Sequence, residues 1–375
     1  MPQAFHHDGV TYFGTVRGDT GAQQLGQYVH ATDALTLSTV HTFSPDMHNY
    51  PAVVRRADGH LVTVYCDHSA GALYRRISTS PDDATAWGSE TNIDSQVGGV
   101  GYTYPWLMRL DEEDDDLLLF IRNYAGGTMD WCLSRSTDGG SSWSAFTTLV
   151  SGSRYYARCW LSPDGRIDFA TTDGSYAEDG ASLYHFYSLP DGTFHQSDGT
   201  VITSPPFTPG ELTKVYDGEV GAGVRYPASV ARDVDSGDVV IAFPIQTGSP
   251  TDHVGEDEDY LYARWDGSGW TVNTVATDVG ANTFEITEGS LSVDPHDLAV
   301  LLVSKRVAGT WTVHRYVTGD EGVTWDITAI GAGAGGSLYP GWVQDHADGL
   351  LAMWMQGTFT TEDDWSSGIA GYRRV

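Results

Sequence analysis

Lysine is nearly absent from this 375-residue chain and occurs only at Lys214 and Lys305. Lysine and arginine together number 20 against 50 acidic residues, which gives a formal net charge of -30. Neutralising the phosphates of DNA or RNA needs a basic face, so nucleic acid is excluded as an expected partner. So acidic a surface repels itself in dilute buffer, but molar salt shortens the screening length to about 3 Å. The composition therefore predicts a protein adapted to brine.

Paired cysteines and long apolar runs are also missing. The three cysteines, Cys66, Cys132 and Cys159, show no CxxC spacing, which favours buried free thiols over a disulfide framework. No window approaches the roughly 18 apolar residues of a membrane span, and the first residues lack the basic and apolar regions of a signal peptide. We therefore expect no membrane insertion.

Strand patterns replace the missing helices. No amphipathic helix pattern is evident, and Asp-Gly dipeptides of the kind that form tight hairpins recur between apolar runs. The runs are short and bounded by Gly, Asp, Pro or Ser. They lie at 52–54, 60–65, 117–122, 166–171, 238–243, 299–304 and 350–355. This pattern predicts an all-β fold.

A degenerate repeat narrows the fold further. Residues 136–143 and 318–325 both fit Ser/Thr-x-Asp-x-Gly-x-x-Trp, and weaker echoes lie at 78–87 and 265–270. The pattern resembles the Asp-box turns of sialidase-type propellers, in which the Asp and Ser/Thr side chains bond local amides. The role of such a turn is structural.

Chain length sets the expected number of blades. At about 50 residues per blade, 375 residues predict a seven-bladed β-propeller, with a six-bladed sialidase-like ring as the alternative. No linker marks a second domain, so residues 1–375 are expected to form one domain. The last residues, 370–375, read as a strand that could close the ring by pairing with N-terminal sequence.

Four segments carry the residue types of a catalytic site, at 46–51, 65–68, 103–105 and 120–123. Their order resembles the BNR-repeat family that contains the propeller ulvan lyases and related rhamnose-glucuronate-active enzymes. The resemblance continues to 354–357 and implies that a histidine pair, a tyrosine and an arginine line a central pocket. By motif these are His48, His68, Tyr104 and Arg122.

The implied chemistry is β-elimination next to a uronate carboxylate. Arg122 and a histidine would neutralise that carboxylate, which makes the neighbouring proton easier to remove. Tyr104 is then the expected base, with His48 or His68 as its partner. The alternative for each residue is structural: the histidines could tie strands together, and Tyr104 could pack at a strand edge. Arg122 would be costly to bury unpaired, so a ligand carboxylate is its natural partner.

Other residues are candidates for sugar contact, and no metal is required by this chemistry. The acidic turns leave room for a weak structural Ca²⁺ site, and no other cofactor is expected. The substrate-binding candidates are Asn49, Tyr156, Arg158, Arg225 and Trp342.

One departure from the family pattern bears on catalysis. Relatives read Thr-Asp-Gly-His-Pro where this chain has Thr172-Asp173-Gly174-Ser175-Tyr176, so an expected histidine is missing. We therefore expect a glycan-recognising propeller directed at an acidic, uronate-containing surface polysaccharide. We expect it to be a receptor-binding or structural protein of a haloarchaeal virus particle. Its expected location is the virion, acting at the host cell surface, or else the cytoplasm of a halophile. Other virion subunits would then be partners. The alternatives are a polysaccharide lyase, a glycosidase using paired carboxylates, and a scaffold.

Overall fold

Seven antiparallel sheets follow one another along the chain in this computed structural model. The structure describes residues 3–110, 115–125, 127–152, 155–175, 180–246, 258–280, 290–331, 335–346, 350–361 and 364–373. Each sheet is built from consecutive strands, so each is one blade. The prediction of an all-β, seven-bladed propeller is confirmed.

Strands are numbered along the chain within each blade. Blade 1 contains β1 (Ala4–His7), β2 (Val10–Val16), β3 (Ala22–Val29) and β4 (Ala34–Thr42). Blade 2 contains β5 (Ala52–Arg55), β6 (Leu61–Asp67), β7 (Ala70–Ile77) and β8 (Thr91–Asn92). Blade 3 contains β9 (Tyr102–Arg109), β10 (Leu117–Ala125), β11 (Thr128–Ser136) and β12 (Thr147–Val150).

The remaining blades vary more in size. Blade 4 contains β13 (Ala157–Leu161), β14 (Ile167–Thr172), β15 (Leu183–Ser188), β16 (Phe194–Gln196), β17 (Val201–Ile202) and β18 (Thr213–Tyr216). Blade 5 contains β19 (Ser229–Arg232), β20 (Val239–Gln246), β21 (Glu258–Trp265) and β22 (Trp270–Ala276). Blade 6 contains β23 (Ser290–Asp294), β24 (Asp297–Val307), β25 (Thr310–Val317) and β26 (Asp326–Gly331). Blade 7 contains β27 (Gly336–Trp342), β28 (Leu350–Thr361) and β29 (Asp364–Arg373).

Helix is nearly absent from the described residues. One helical turn, α1 (Asp94–Val97), follows β8, and a 3₁₀ helix (Pro209–Glu211) precedes β18. None of the described helices has the length and apolar character needed to cross a membrane.

The apolar core lies between the blades. The buried apolar residues of the described chain fall into six clusters, and each joins two consecutive blades, from blades 1 and 2 to blades 6 and 7. The second strand of a blade packs on both faces, and β14 and β20 are buried along their whole length. Burial on both faces explains the continuous apolar runs in the sequence. The rigid blades hold the loops at their ends in place.

The repeated turns join the third and fourth strands of their blades. In blade 3 the Ser136 hydroxyl accepts from the Gly140 amide at 2.8 Å, and Asp138 accepts from the Ser142 amide at 2.8 Å. The turn at 318–325 in blade 6 has the same bonds at the same distances. The echoes at 78–87 and 265–270 occupy the matching position in blades 2 and 5. These turns fix the outer strands and lie away from the inner ones.

The first and last blades meet differently from the sequence expectation. Within the described residues, β29 pairs with β28 alone, whereas the N-terminal strand β1 pairs with β2. The two blades are joined by a parallel bridge between Phe5 and Gln344, just beyond β27, and by Arg373 of β29, which donates to Asp33 at 2.7 Å and to His30 O at 3.2 Å. The N- and C-terminal strands therefore do not share a sheet, because β1 reaches the inner strand of blade 7 instead of its outer edge. Residues 374 and 375 of the predicted closing strand lie outside the described residues.

Candidate active site

One carboxylate holds both predicted histidines. Asp46 lies in the connection between β4 and β5, and its Oδ1 accepts from the backbone amide of His48 at 2.7 Å and bonds Nδ1 of the His48 ring at 2.5 Å. Its Oδ2 bonds Nδ1 of His68, just after β6, at 2.8 Å. An ionised carboxylate can only accept, so both Nδ1 atoms carry the proton. The two rings stack at 4.1 Å, and Nε2 of His48 bonds no other described residue.

A bulge in the first strand of blade 3 sets the direction of Tyr104. Tyr104 has a φ of 59°, which is unusual for a bulky residue, and the β9–β10 register shifts between Phe120 and Arg122. Bulges of this kind redirect a side chain and recur next to active sites. The Tyr104 ring centroid lies 5.5 Å from that of His48.

Arg122 completes the cluster from β10. Arg122 is 4% exposed, and its guanidinium carbon lies 4.7 Å from the Tyr104 ring centroid and 5.7 Å from the Tyr156 ring centroid. One of its terminal nitrogens lies 3.5 Å from Nε2 of His68. No carboxylate among the described residues forms an ion pair with Arg122. Its charge faces two aromatic rings and an imidazole, which leaves it able to bind an anion.

The pKa shifts follow from burial and from Asp46. Burial lowers the pKa of His48 to about 4, against the opposing effect of Asp46, so the ring is neutral at pH 7. Burial acts to raise the pKa of Asp46, but the hydrogen bonds from His48 and His68 outweigh it and hold that pKa well below its usual range. Burial raises the pKa of Tyr104 well above its usual value, despite Arg122 nearby. The site thus pairs a neutral imidazole with a protonated phenol.

Asp46, His48 and His68 are also the one group in the described chain that could hold a metal ion. One ligand atom from each lies within 4.8 Å of the others. A carboxylate and two imidazoles suit Zn²⁺ in kind. The Nδ1 atoms that donate to Asp46 would have to lose their protons to bind the ion through the same atoms, so the hydrogen bonds and such a metal are alternatives.

The sequence matches the BNR repeat-containing family over residues 17–278. The chain belongs to this family. No curated protein sequence matches it.

Solved structures place this BNR propeller beside carbohydrate-active enzymes. A polysaccharide lyase described as an ulvan lyase bound to -[GlcA(1-4)Rha3S]- matches with a TM-score of 0.78 and 15% identity, over 99% of this chain and 90% of that one. The polysaccharide lyase Uly1 matches with a TM-score of 0.65 and 13% identity, over 99% and 89%. An α-L-arabinanase of Penicillium chrysogenum complexed with arabinobiose gives 0.55 and 13%, over 87% and 93%. At these identities the likeness establishes the fold.

Two of the predicted sugar contacts join the cluster. Tyr156, just before β13, places its ring 6.4 Å from that of Tyr104. Arg158 on β13 lies close enough to affect the pKa of both Tyr104 and Tyr50, and it forms no ion pair with the described residues. The first strand of blade 4 therefore adds a second cation to the site.

Asn49 is placed differently from the prediction. It is 1% exposed, and its amide nitrogen donates to Ser44 O at 3.2 Å and to Asp67 Oδ1 at 2.9 Å. Its backbone carbonyl accepts from the Gln23 side chain at 2.5 Å. These bonds fasten the connection that carries Asp46 and His48.

Arg225 and Trp342 lie outside this cluster, and each has partners within the fold. Arg225 is 1% exposed, lies 3.5 Å from Glu258 and donates to Gln246 at 2.6 Å, so its charge is already neutralised. Trp342 ends β27, and its indole donates to Ser292 O at 3.1 Å while its ring stacks on His346 at 5.3 Å. Neither residue is in contact with the cluster around Tyr104.

Sequence reasoning missed Asp46 and Tyr50. Asp46 holds both histidines, and Tyr50 places its ring 6.4 Å from that of Tyr104. The signal for Asp46 was present, since a carboxylate two residues before His48 can reach both its amide and its ring. Tyr50 precedes a proline, as Tyr104 does, and that repeated dipeptide could have indicated a shared position.

Proposed function

We propose that this protein is a polysaccharide lyase that cleaves a uronate-containing glycan by β-elimination. The observation that carries the proposal is Arg122, a buried cation with no carboxylate partner in the described chain although the protein has 50 acidic residues. A buried charge without a partner is costly unless a ligand supplies the opposite charge. A uronate carboxylate would supply it.

The neighbouring groups suit the remaining steps. With the uronate carboxylate neutralised by Arg122, Nε2 of neutral His48 accepts the proton from C5, and the C4–O bond breaks as the C4=C5 double bond forms. Tyr104 gives its hydroxyl proton to the departing oxygen. The sequence favoured Tyr104 as the base; its raised pKa favours the acid role instead. Asp46 holds His48 in the tautomer that leaves Nε2 free to accept.

Glycan recognition without cleavage is the second candidate, in a receptor-binding or structural protein of a haloarchaeal virus particle. Ser175, which stands where relatives carry a histidine, is 2% exposed and lies near Thr172, whose hydroxyl accepts from the Tyr156 amide at 3.0 Å. Serine at this position supplies a hydroxyl in place of the imidazole, so one titratable group of the relatives is not present there. Such a propeller would use Arg122 and Arg158 only to bind its polysaccharide on the host surface.

One assay separates the two candidates. The protein is incubated in molar salt with uronate-rich haloarchaeal surface glycan, and ultraviolet absorbance reports the unsaturated product. We expect absorbance to rise, and to stop rising in Tyr104→Phe, which removes only the hydroxyl. Binding without product, lost in Arg122→Met, would instead support recognition alone. Neither product nor binding would reject both.

A further inference from the structure

A second group of part-exposed side chains lies between blades 1 and 2, outside the cluster of Tyr104. We call it the outer groove; it consists of His41, Phe43, Tyr74, Arg76 and Glu90. Phe43 precedes Asp46 by three positions, so their Cα atoms are at most about 11 Å apart. A glycan of several sugar units is long enough to span the distance from the candidate active site to this groove.

Three aromatic rings form one side of the outer groove. His41 and Tyr74 stack with centroids 5.3 Å apart and an interplanar angle of 17°, and Phe43 lies 4.1 Å from His41. Phe43 and Tyr74 are only partly buried, against the apolar cluster of blades 1 and 2. Fixed rings at a part-exposed position offer an apolar face without further ordering cost.

Hydrogen bonds hold a carboxylate beside these rings. Oε2 of Glu90 accepts from the Tyr65 hydroxyl at 2.8 Å and bonds Nδ1 of His41 at 2.8 Å. Arg76 donates to the Tyr65 hydroxyl at 3.0 Å and to Gly88 O at 3.0 Å, and its Nη2 lies 3.7 Å from Oε2 of Glu90, so the charges of Arg76 and Glu90 offset each other. Oε1 of Glu90 and the Tyr74 hydroxyl bond no other described residue. The groove therefore presents one open acceptor and one open hydroxyl.

We propose that the outer groove is a second binding subsite for an uncharged, hydroxyl-rich sugar unit of the same glycan. The aromatic faces pack on the apolar face of the sugar ring, and Oε1 of Glu90 accepts from a sugar hydroxyl. An anionic unit or a sulfate ester offers acceptors where the groove needs a donor. The subsite rests on the proposed function, because its sugar is connected to the uronate bound at Arg122.

The test uses glucuronate–rhamnose oligosaccharides of two and six units, with and without 3-sulfate on rhamnose, and measures binding by calorimetry in molar salt. All proteins carry Tyr104→Phe to prevent cleavage. Tyr74→Ala is expected to weaken the unsulfated hexasaccharide about tenfold and to leave the disaccharide unchanged, because only the longer chain reaches the groove. The protein with Glu90 intact is expected to bind the unsulfated hexasaccharide more tightly than the sulfated one. Glu90→Gln, which keeps the shape of the side chain but removes its charge, is expected to reduce this difference in affinity.

The matched control is Tyr28→Ala, which removes a half-buried tyrosine from β3, at the other end of blade 1. Its affinities are expected to equal those of the parent. If Tyr74→Ala weakens both lengths equally or neither, the subsite is rejected while the proposed function stands. If the parent binds no oligosaccharide of either length, the proposed function fails together with it.

Discussion

Blades 3 and 5 each bury an arginine near a Tyr-Pro dipeptide, and the two arginines differ in what neutralises them. Arg225 is 1% exposed and lies against Glu258 and Gln246. Arg122 is 4% exposed and faces two tyrosine rings and His68, without a carboxylate from the described chain. Burial and residue type are shared, so only the partner distinguishes a structural cation from one available to a ligand.

Blades 3 and 7 share a backbone irregularity in their first strands. Tyr339 in blade 7 has a φ of 53° and lies at a register shift between Leu338 and Gly341, as Tyr104 does in blade 3. Both bulges precede or contain a proline. The propeller therefore repeats one inner-strand bulge, and of these two bulges only that of blade 3 lies beside the histidine pair held by Asp46.

Removing Arg225 should give the largest change in stability. In Arg225→Met we expect the free energy of unfolding to fall by about 3–5 kcal/mol, because Glu258 is left buried without its partner. Denaturant unfolding in molar salt measures this. Glycan affinity of the protein that remains folded should be unchanged; a matching loss of affinity would place Arg225 in the site after all.

Arg122→Met in blade 3 is the substitution to compare with Arg225→Met. Turnover or glycan affinity should fall about 100- to 1000-fold, since a charge aimed at the ligand carboxylate is lost. Stability should stay level or rise, because a buried charge without a carboxylate partner has been removed. A protein that unfolds more easily while still binding glycan would contradict the distinction between the two arginines.

Asp46→Asn tests whether the histidine pair gives the bulge of blade 3 a function that the similar bulge of blade 7 does not have. The amide can accept from one ring but must donate to the other, so one imidazole changes tautomer. We expect kcat to fall about 100-fold with KM little changed. Nitrogen NMR of the imidazoles reports the tautomer independently of activity, and unchanged spectra would show that Asp46 does not set it.

The pH profile should follow the lowered pKa of His48. Turnover requires the neutral ring, and with a pKa of about 4 roughly nine-tenths of the rings are neutral at pH 5. A histidine with its ordinary pKa near 6.5 would be only a few per cent neutral there. We therefore expect kcat to hold from pH 7 to pH 5 and to decline near pH 4. A decline centred between pH 6 and 7 would exclude His48 as the base.

Much of the fold could be predicted, because the strongest sequence signals come from strands buried on both faces. The apolar runs at 60–65, 117–122, 166–171, 238–243, 299–304 and 350–355 fall on β6, β10, β14, β20, β24 and β28, the second strands of six blades. Outer strands are half exposed and specify their partners weakly. The extra strands of blade 4, the three strands that the described residues form in blade 7 and the contact of β1 with Gln344 therefore left little trace in the sequence.

The site could be predicted by residue type but not by partner. The resemblance selected His48, His68, Tyr104 and Arg122, and the structure brings them together around Asp46. Arg225 was selected by residue type alone, as a charged candidate for sugar contact, and its partner Glu258 lies 33 residues further along the chain, on β21. Pairing across strands depends on register, which a residue pattern does not contain.

Substitution of Trp342 should have the smallest effect on function, and it tests whether blade 7 takes part in glycan binding. Trp342 is the last residue of β27, and its indole donates to Ser292 O on β23. Trp342→Phe therefore removes one hydrogen bond and costs about 1 kcal/mol of stability. Glycan affinity should be unchanged, since the ring stacks on His346 and is not in contact with the cluster around Tyr104. Calorimetry with the hexasaccharide, beside Tyr156→Phe as the variant inside the site, checks this. A loss in Trp342→Phe as large as that in Tyr156→Phe would mean that blade 7 also binds the glycan.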